Sequence, residues 1–258
     1  MSAWEIYDAL IDEASAKLKE PAVVSEIILG INWSVASLTS TRGLMQGICF
    51  SPRNAARTIA WSGTLEGEPA NRILPWIYEW ESAASTVGAA VLNAILNYQN
   101  DLIEKSQLLD LDAPNHLQVF EYFRPHLANQ KVSIIGHYPG LNPFPEVQSW
   151  QVFERHLQTG DLPDTAAFYL LPESDWVFIS ASSIANKSLP MLLQLAKNCQ
   201  VVLMGPSLPW STLWFDFGVD YLAGVAIKSS TGIRSVAQQA GGTRLFDIGC
   251  EYRVLDLS

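Results

Sequence analysis

Positive charge is scarce in this chain and nowhere concentrated. Its 16 lysines and arginines stand against 26 acids, a formal net charge of −10, and they form no run. Nucleic acid and anionic membranes recruit clustered cations, so neither is an expected partner. Charge of either sign is thin, at 16% of residues against roughly 25% in an average soluble domain. With 48% hydrophobic residues, large cores or a surface partly covered in a homo-oligomer, a dimer in the simplest case, would account for that. Three cysteines, Cys49, Cys199 and Cys250, make no CxxC pair. That excludes a disulfide framework and a cysteine zinc site, and leaves buried reduced thiols in a cytoplasmic protein. The opening MSAWEIYDALIDEASAKL carries acids early and no signal core. The uncharged stretches 83–100 and 198–215 are broken by amides, hydroxyls, Pro and Gly, so neither reads as a membrane span.

Several signatures of chemistry are also missing. The turn GHYPG at 136–140 lacks the middle and last glycines of GxGxxG, and its Pro139 offers no N–H to a pyrophosphate. GPSLP is not the GxSxG of a nucleophile elbow, and no HxxxH pair places two metal ligands on one helix face.

What is present divides into two grammars. The first half opens with an amphipathic helix from Ala3 to about Leu18, with Trp4, Tyr7, Ile11, Ala14 and Leu18 on one face. Three β-type runs follow, VVSEIILGI, WSVASLTS and LMQGICF, too closely spaced for anything but an antiparallel meander. Helical stretches then come at 70–80, interrupted by Pro75, at 84–99 and at 115–127. This is an α+β layout. Asn93, inside the otherwise apolar 84–99 helix, needs a polar partner, from the core or from a ligand. The aromatic WIYEW run at 76–80 reads as core, subunit interface or stacking surface.

From Lys131 the pattern changes to short apolar strands separated by helices. Strands are expected at 131–135, 150–153, 176–180, 200–204 and 221–224, with an edge strand from the final CEYRVL. Helices are expected at 164–171, at 188–197 with Ser188 as N-cap, at 211–217 and at 232–239. Alternation of this kind implies a parallel, doubly wound sheet, whose ligands sit at the carboxyl ends of the strands. Those ends read Gly136-His137-Tyr138-Pro139, Glu154-Arg155-His156, Ser180-Ala181-Ser182-Ser183 with Asn186, and Gly205-Pro206-Ser207. Polar or Gly/Pro-rich residues at each successive end point to a pocket.

Two sharper chemistries can be read into these ends. Glu154 falls 18 residues after Gly136, near the offset of a ribose-binding acid. His137, Glu154, His156, Asp161 and Asp164 are candidate ligands for a divalent metal ion, with Glu154 and His156 sharing one strand face at i and i+2. Against the metal, TGDLPD reads equally well as turn-and-cap chemistry.

The segments IIGHYP, VFERHLQTGDLPDTAAFYLLPESD, SASSIANKS and VVLMGPSLPWSTLWFDFGVDYLAG together resemble the heavy-metal chelation family of bacteria and archaea. GINWSVASLTSTRGLMQG and STVGAAVLNAILN resemble that family's N-terminal partner. The resemblance implies a Rossmann-like parallel-sheet α/β domain at 129–258, preceded by a smaller α+β, enolase N-terminal-like domain at 1–128. It places a ligand site at their junction, on Gly136, His137, Pro139, Glu154, Asp161, Asp164, Asn186, Gly205, Pro206 and Ser207, with Asn93 approaching from the first domain.

The expectation is therefore a binder of a small polar or anionic ligand, with or without a metal ion. His137 and Glu154 make the main contacts, Ser182, Asn186 and Ser207 orient, and Ser180 lines the site. The alternative is an enzyme on the same scaffold using a nucleoside-containing cofactor or substrate, with His137 as general acid/base and Glu154 as its partner. A third reading makes the aromatic N-terminal surface the working part of an interaction protein.

Overall fold

The computed structural model describes residues 4–52 and 58–257. Its first part runs α1 (Glu5–Lys17), the antiparallel meander β1 (Val23–Leu29), β2 (Trp33–Ser40) and β3 (Gly43–Phe50), then α2 (Ala70–Ile73), α3 (Ser82–Leu96) and α4 (Asp101–Lys105). Ala3, the expected start of the first helix, lies outside the described residues. The core face of α1 is rotated from the expected one: Ile6, Tyr7, Leu10 and Ala14 are buried, while Trp4 is partly out. Pro75 converts the end of α2 to a 3-10 turn at Leu74–Tyr78, because the ring removes the N–H an α-turn would use.

Helix α3 organises this half. Fourteen of its 15 residues are buried and none is charged. It starts where the Glu81 carboxylate accepts from the N–H of Ala83 (3.0 Å) and of Ala84 (2.7 Å), the acceptor role a helix N-terminus demands. Small residues let backbone meet backbone on both flanks. A Cβ on Gly47 of β3 would lie 2.1 Å from the Ala90 carbonyl oxygen, and one on Gly88 would lie 2.2 Å from the Ile77 nitrogen.

The second part builds an eight-stranded sheet from β4 (Gln107–Leu108), β5 (Lys131–Ile135), β6 (Ser149–Glu154), β7 (Leu162–Pro163), β8 (Trp176–Ser180), β9 (Gln200–Met204), β10 (Tyr221–Ile227) and β11 (Cys250–Asp256). The strand order is β4-β11-β10-β9-β8-β5-β6-β7. Numbered along the chain, the six parallel strands β5 to β10 run 3-2-1-4-5-6. This doubly wound order puts its switch point between β5 and β8. Alternate side chains feed two cores, Val177, Ile179, Val201 and Leu203 on one face and Trp176, Phe178, Val202 and Met204 on the other. The first face is covered by α6 (Ala167–Leu170), α7 (Ser182–Ala185), α8 (Leu189–Leu195) and α9 (Leu213–Asp216), the second by α5 (Gln118–Phe123), α10 (Ser230–Gln238) and α11 (Leu245–Ile248).

Four further expectations change. The helix expected at 115–127 is a short α5 between 3-10 turns at Asn115–Leu117 and Arg124–His126, with Pro125 stopping it. The terminal strand β11 is not an edge, because β4 pairs along its outer side at Arg253–Leu108 and Val254–Gln107. Ser188 makes no side-chain cap on α8. Its hydroxyl instead donates to Asn186 Oδ1 at 2.6 Å. Finally, β6 ends at Glu154 and His156 lies in an exposed bend, so the two do not share a strand face.

Small sheet and large sheet meet over the carboxyl ends of the parallel strands. Three asparagines on the α3 side, Asn93, Asn97 and Asn100, recur at steps of four and three and grip the chain that leaves β9. Asn93 Nδ2 donates to the Ser207 carbonyl (2.9 Å), Asn97 Nδ2 to Leu208 (3.0 Å) and Asn100 Nδ2 to Trp210 (2.8 Å). Asn97 Oδ1 also accepts from the Trp210 N–H at 2.8 Å. These bonds satisfy a buried loop backbone that has no ladder partner. Farther out, Arg234 of α10 clamps Glu26 of β1 through two bonds of 2.6 and 2.7 Å.

Candidate functional site

The strand ends share one backbone device. The residues after β5 and β9, Gly136 and Gly205, have φ of +108° and +110°, a region closed to most L side chains. Gly136 donates to the Phe153 carbonyl and Gly205 to that of Ala223, both at 2.9 Å, so each chain turns away over the neighbouring strand. A Cβ on Gly205 would meet open space, and one on Gly136 would touch Ser180 at 3.4 Å. Ala181, at the equivalent place after β8, enters α7 with φ −64° and is fully buried.

Around the β5 end, acids are spent on the backbone. Glu154 accepts from the N–H groups of His137 (3.0 Å), Arg155 (2.8 Å) and His156 (3.1 Å). Asp161 is 4% exposed at its side chain. It accepts from the Gln158 N–H at 2.9 Å and meets His137 Nδ1 at 3.1 Å. Asp164 pairs instead with Arg155 at 3.1 Å, on the exposed rim. Of the five candidate metal ligands, then, His137 and Asp161 touch and Glu154 holds the turn beneath them. Asp164 is taken by Arg155, and His156 lies in the exposed bend after β6.

Among the described residues no three of His, Cys, Asp and Glu gather into a set that could hold a metal ion. Thiolate is not at hand either. Burial pushes the Cys49 thiol up to about 12, against an opposing hydrogen bond from Ser207, and raises Cys250 as well. A thiol held protonated is a poor ligand for a soft metal. These donors do not fit a preformed metal centre made by the protein alone.

The serines and Asn93 lie closer to the junction. Ser180 and Ser182 share a hydrogen bond of 2.9 Å, and Ser207 Oγ accepts from the Phe50 N–H at 2.9 Å. Asn186 is exposed and turned back onto Ser188. Pro139 is exposed, its carbonyl 2.8 Å from His116 Nε2, whereas Pro206 is buried. Asn93 spends both amide N–H groups, on Ser207 and on the Ile48 carbonyl at 2.8 Å, but its Oδ1 is buried without a partner. The Ser183 hydroxyl is likewise unpartnered, as is that of Tyr252 on β11, while the buried Tyr138 hydroxyl has Ser180 beside it. Tyr138 and Ser183 follow β5 and β8, and Asn93 of α3 faces the loop that leaves β9. A buried polar atom left unpaired costs about 1–3 kcal/mol, so Asn93 Oδ1 and Ser183 Oγ call for an account.

Sequence reasoning overlooked one group here, Lys187. Its amine donates to Ser85 Oγ and, at 3.0 Å, to the Ala185 carbonyl, and burial lowers its pKa to about 8. Lysine in a turn after a short helix carries no pattern that announces burial, and its partner Ser85 comes from α3, 102 residues away. Next to this junction a groove of about 340 Å³ opens between β3, the α3–α4 turn and the ends of β9 and β10. Gln46, Ile48, Asn97, Tyr98, Pro206 and Val225 are among its walls.

Family models now bear on the chain as a whole. A model described as "Putative heavy-metal chelation" matches residues 118–256, and a second under the same description matches residues 11–96. The chain belongs to this family. An uncharacterised protein of Methanocaldococcus jannaschii is 35% identical over 152 residues, which span 55% of this chain and 54% of that protein, about half its length. Among solved structures of the family, one from Desulfitobacterium hafniense, of unknown function, superposes with a TM-score of 0.81 at 24% identity and 98% coverage of each chain. Another of unknown function, from Pyrococcus horikoshii, gives 0.77 at 20% identity, covering 97% of this chain and 99% of that one. At such identities the likeness is one of fold. Among the described residues no helix is long and apolar enough to cross a membrane.

Proposed function

We propose that the protein binds a small polar or anionic ligand at the carboxyl ends of β5, β8 and β9, beneath the small sheet. On this reading a Rossmann-like domain at 129–258 and an α+β domain at 1–128 close on the ligand from two sides. The observation that carries it is a set of buried polar groups, Asn93 Oδ1 and Ser183 Oγ without partners and the Tyr138 hydroxyl beside Ser180, around the carboxyl ends of the parallel strands, where doubly wound sheets take their ligands. One acceptor and two hydroxyls suit a ligand with both donor and acceptor groups. Gly136 and Gly205 keep Cβ bulk away from it. The family description adds a metal as the ligand's companion. His137 and Asp161 supply two donors, so the remaining ligands of any ion would come from the small molecule.

The test is a thermal-shift screen of metabolites, with and without divalent metals. A ligand at a hundredfold excess over Kd should add about 2.7 kcal/mol of stability. Tyr138→Phe and Ser183→Ala should abolish that gain while the unliganded fold persists. Ligand stabilisation that survives both changes would place the site elsewhere.

The strand order also favours a nucleoside-containing ligand, the form this topology most often takes. Glu154 would then be the ribose anchor, yet three backbone N–H groups already occupy its carboxylate. Nucleotides belong in the screen, and their failure to stabilise would remove this second reading.

A further inference from the structure

The small sheet guards one of its edges and leaves the other bare. Strand β1, at one edge, carries Glu26 and a register shift between Val24 and Glu26, and charge and bulges are the usual defences against a further strand. Strand β3, GLMQGICF, forms the other edge with no charged residue, no proline and an unbroken register against β2. Ser51 donates to the Asn32 carbonyl, which turns the odd-numbered residues of β3 toward β2. The N–H and C=O groups of Leu44, Gln46, Ile48 and Phe50 therefore point outward. Asn93 Nδ2 donates to the Ile48 carbonyl, and Ser207 Oγ accepts from the Phe50 N–H. Among the described residues nothing bonds the outward groups of Leu44 and Gln46, or the Ile48 N–H.

A second open edge lies across the groove. Strand β9 pairs with β10 only over residues 221–223, whereas β11 accompanies β10 as far as Ile227. Gly205 donates to the Ala223 carbonyl and Lys228 to that of Gly249. This alternation turns the backbone groups of Val225 and Ile227 to the side that β9 has left. Trp210 Nε1 covers the Val225 carbonyl at 3.3 Å, while among the described residues both N–H groups and the Ile227 carbonyl stay open. The groove of about 340 Å³ has Leu44, Gln46 and Ile48 of the first edge and Val225 and Ile227 of the second among its walls. Open strand edges on both sides of one cleft are a template for a strand. Ile103 and Pro206 add apolar surface, and Glu104 is the one charged wall residue among the described residues.

We propose that this groove receives an extended peptide segment of another protein as an added strand on the outer edge of β3, apolar at alternate residues and carrying a lysine or arginine near Glu104. The peptide's N–H and C=O groups answer those of Leu44, Gln46 and Ile48 along one side and those of Val225 and Ile227 along the other. Such main-chain bonds supply affinity, and the side-chain pockets supply selection. Apolar side chains, alternating along the strand, meet Ile48, Ile103 and Val225. Glu104, in a chain of net charge −10, favours a basic segment and repels an acidic one. The proposal does not rest on the strand-end ligand reading, since Asn93, Tyr138 and Ser183 are not among the walls of this groove.

The experiment is affinity selection of a capped hexapeptide library on the immobilised full chain, followed by amide hydrogen exchange with the selected peptide. The library has valine, leucine, isoleucine or phenylalanine at alternate positions and lysine, glutamate, threonine or serine between them. Lysine should be enriched over glutamate, and Glu104→Lys, at an exposed position, should reverse that preference. Bound peptide should slow exchange at the Leu44, Gln46 and Ile48 amides at least about tenfold. Gln46→Pro removes an outward N–H and spares the ladder to β2, so it should weaken binding at least about tenfold. Should Gln46→Pro fail to fold, the charge reversal and the exchange pattern still decide. The proposal is wrong if no peptide is enriched, if Glu104→Lys leaves the preference unchanged, or if the protected amides lie elsewhere. It is equally wrong if these amides are already protected in the free chain and the chain sediments as a dimer, since a second copy then holds the edge.

Discussion

Asn93 Nδ2 and the Ser207 carbonyl, 2.9 Å apart, join the buried helix of the first half to the loop that leaves β9. The same nitrogen reaches the Ile48 carbonyl at 2.8 Å, so one amide ties together α3, β3 and the large sheet. Asn93→Ala should strand two buried carbonyls and cost about 2–4 kcal/mol. Asn93→Asp should cost more, since a carboxylate would face both oxygens. Urea unfolding checks both, and an Ala variant within 0.5 kcal/mol of wild type, on the order of an ordinary surface change, would show these bonds to be dispensable.

Gly47 and Gly63 make a matched pair for the close contact on α3. Gly47→Ala forces a Cβ to within 2.1 Å of the Ala90 oxygen and 2.2 Å of the Ala94 nitrogen. That should cost about 3 kcal/mol or more by prying β3 off the helix. Gly63→Ala meets nothing within 4 Å at φ +79° and should cost only about 1–2 kcal/mol. Equal losses in denaturant titrations would refute the packing argument.

Acid should loosen the brace between the two halves. The Arg234 hydrogen bonds, and then its charge, hold the Glu26 carboxyl below its ordinary value of 4.5. A depressed carboxyl stabilises the folded state above its unfolded pKa, and that stability is lost as the pH falls through the folded one. The difference in melting temperature between wild type and Glu26→Gln should therefore be greatest at neutral pH and shrink below about pH 4.5. Both side chains are partly exposed, so salt should shrink it too. A difference independent of pH would mean the pair contributes only by packing.

Glu154 separates an organiser of the turn from a ligand. Its carboxylate accepts three backbone N–H groups, so Glu154→Ala should lose about 2 kcal/mol and raise amide exchange at His137, Arg155 and His156 without any ligand present. Unchanged exchange at those amides would return Glu154 to the candidate ligand contacts.

Much of this fold can be read from local pattern. The runs KVSII, WVFIS and QVVLM are short, apolar and bounded by turn residues, and they became β5, β8 and β9 with the expected limits. The meander was legible from spacing alone. The two-residue strand β4 was not, because Gln107 and Leu108 acquire strand geometry only by pairing with β11. Similarly, Glu154 and His156 looked alike as donors, but the backbone turns at Arg155 and sends them apart.

Sequence alone determined the parallel strands, the buried helix α3 and the glycines at strand ends, since those depend on hydrophobic period and backbone freedom carried by neighbouring residues. Tertiary structure alone decided which polar atoms lie unpaired and which amine has its pKa lowered by burial. Hydrogen bonding and desolvation depend on what arrives from across the chain: Ser85 brings an oxygen to Lys187 over 102 residues, and Ser207 a carbonyl to Asn93 over 114.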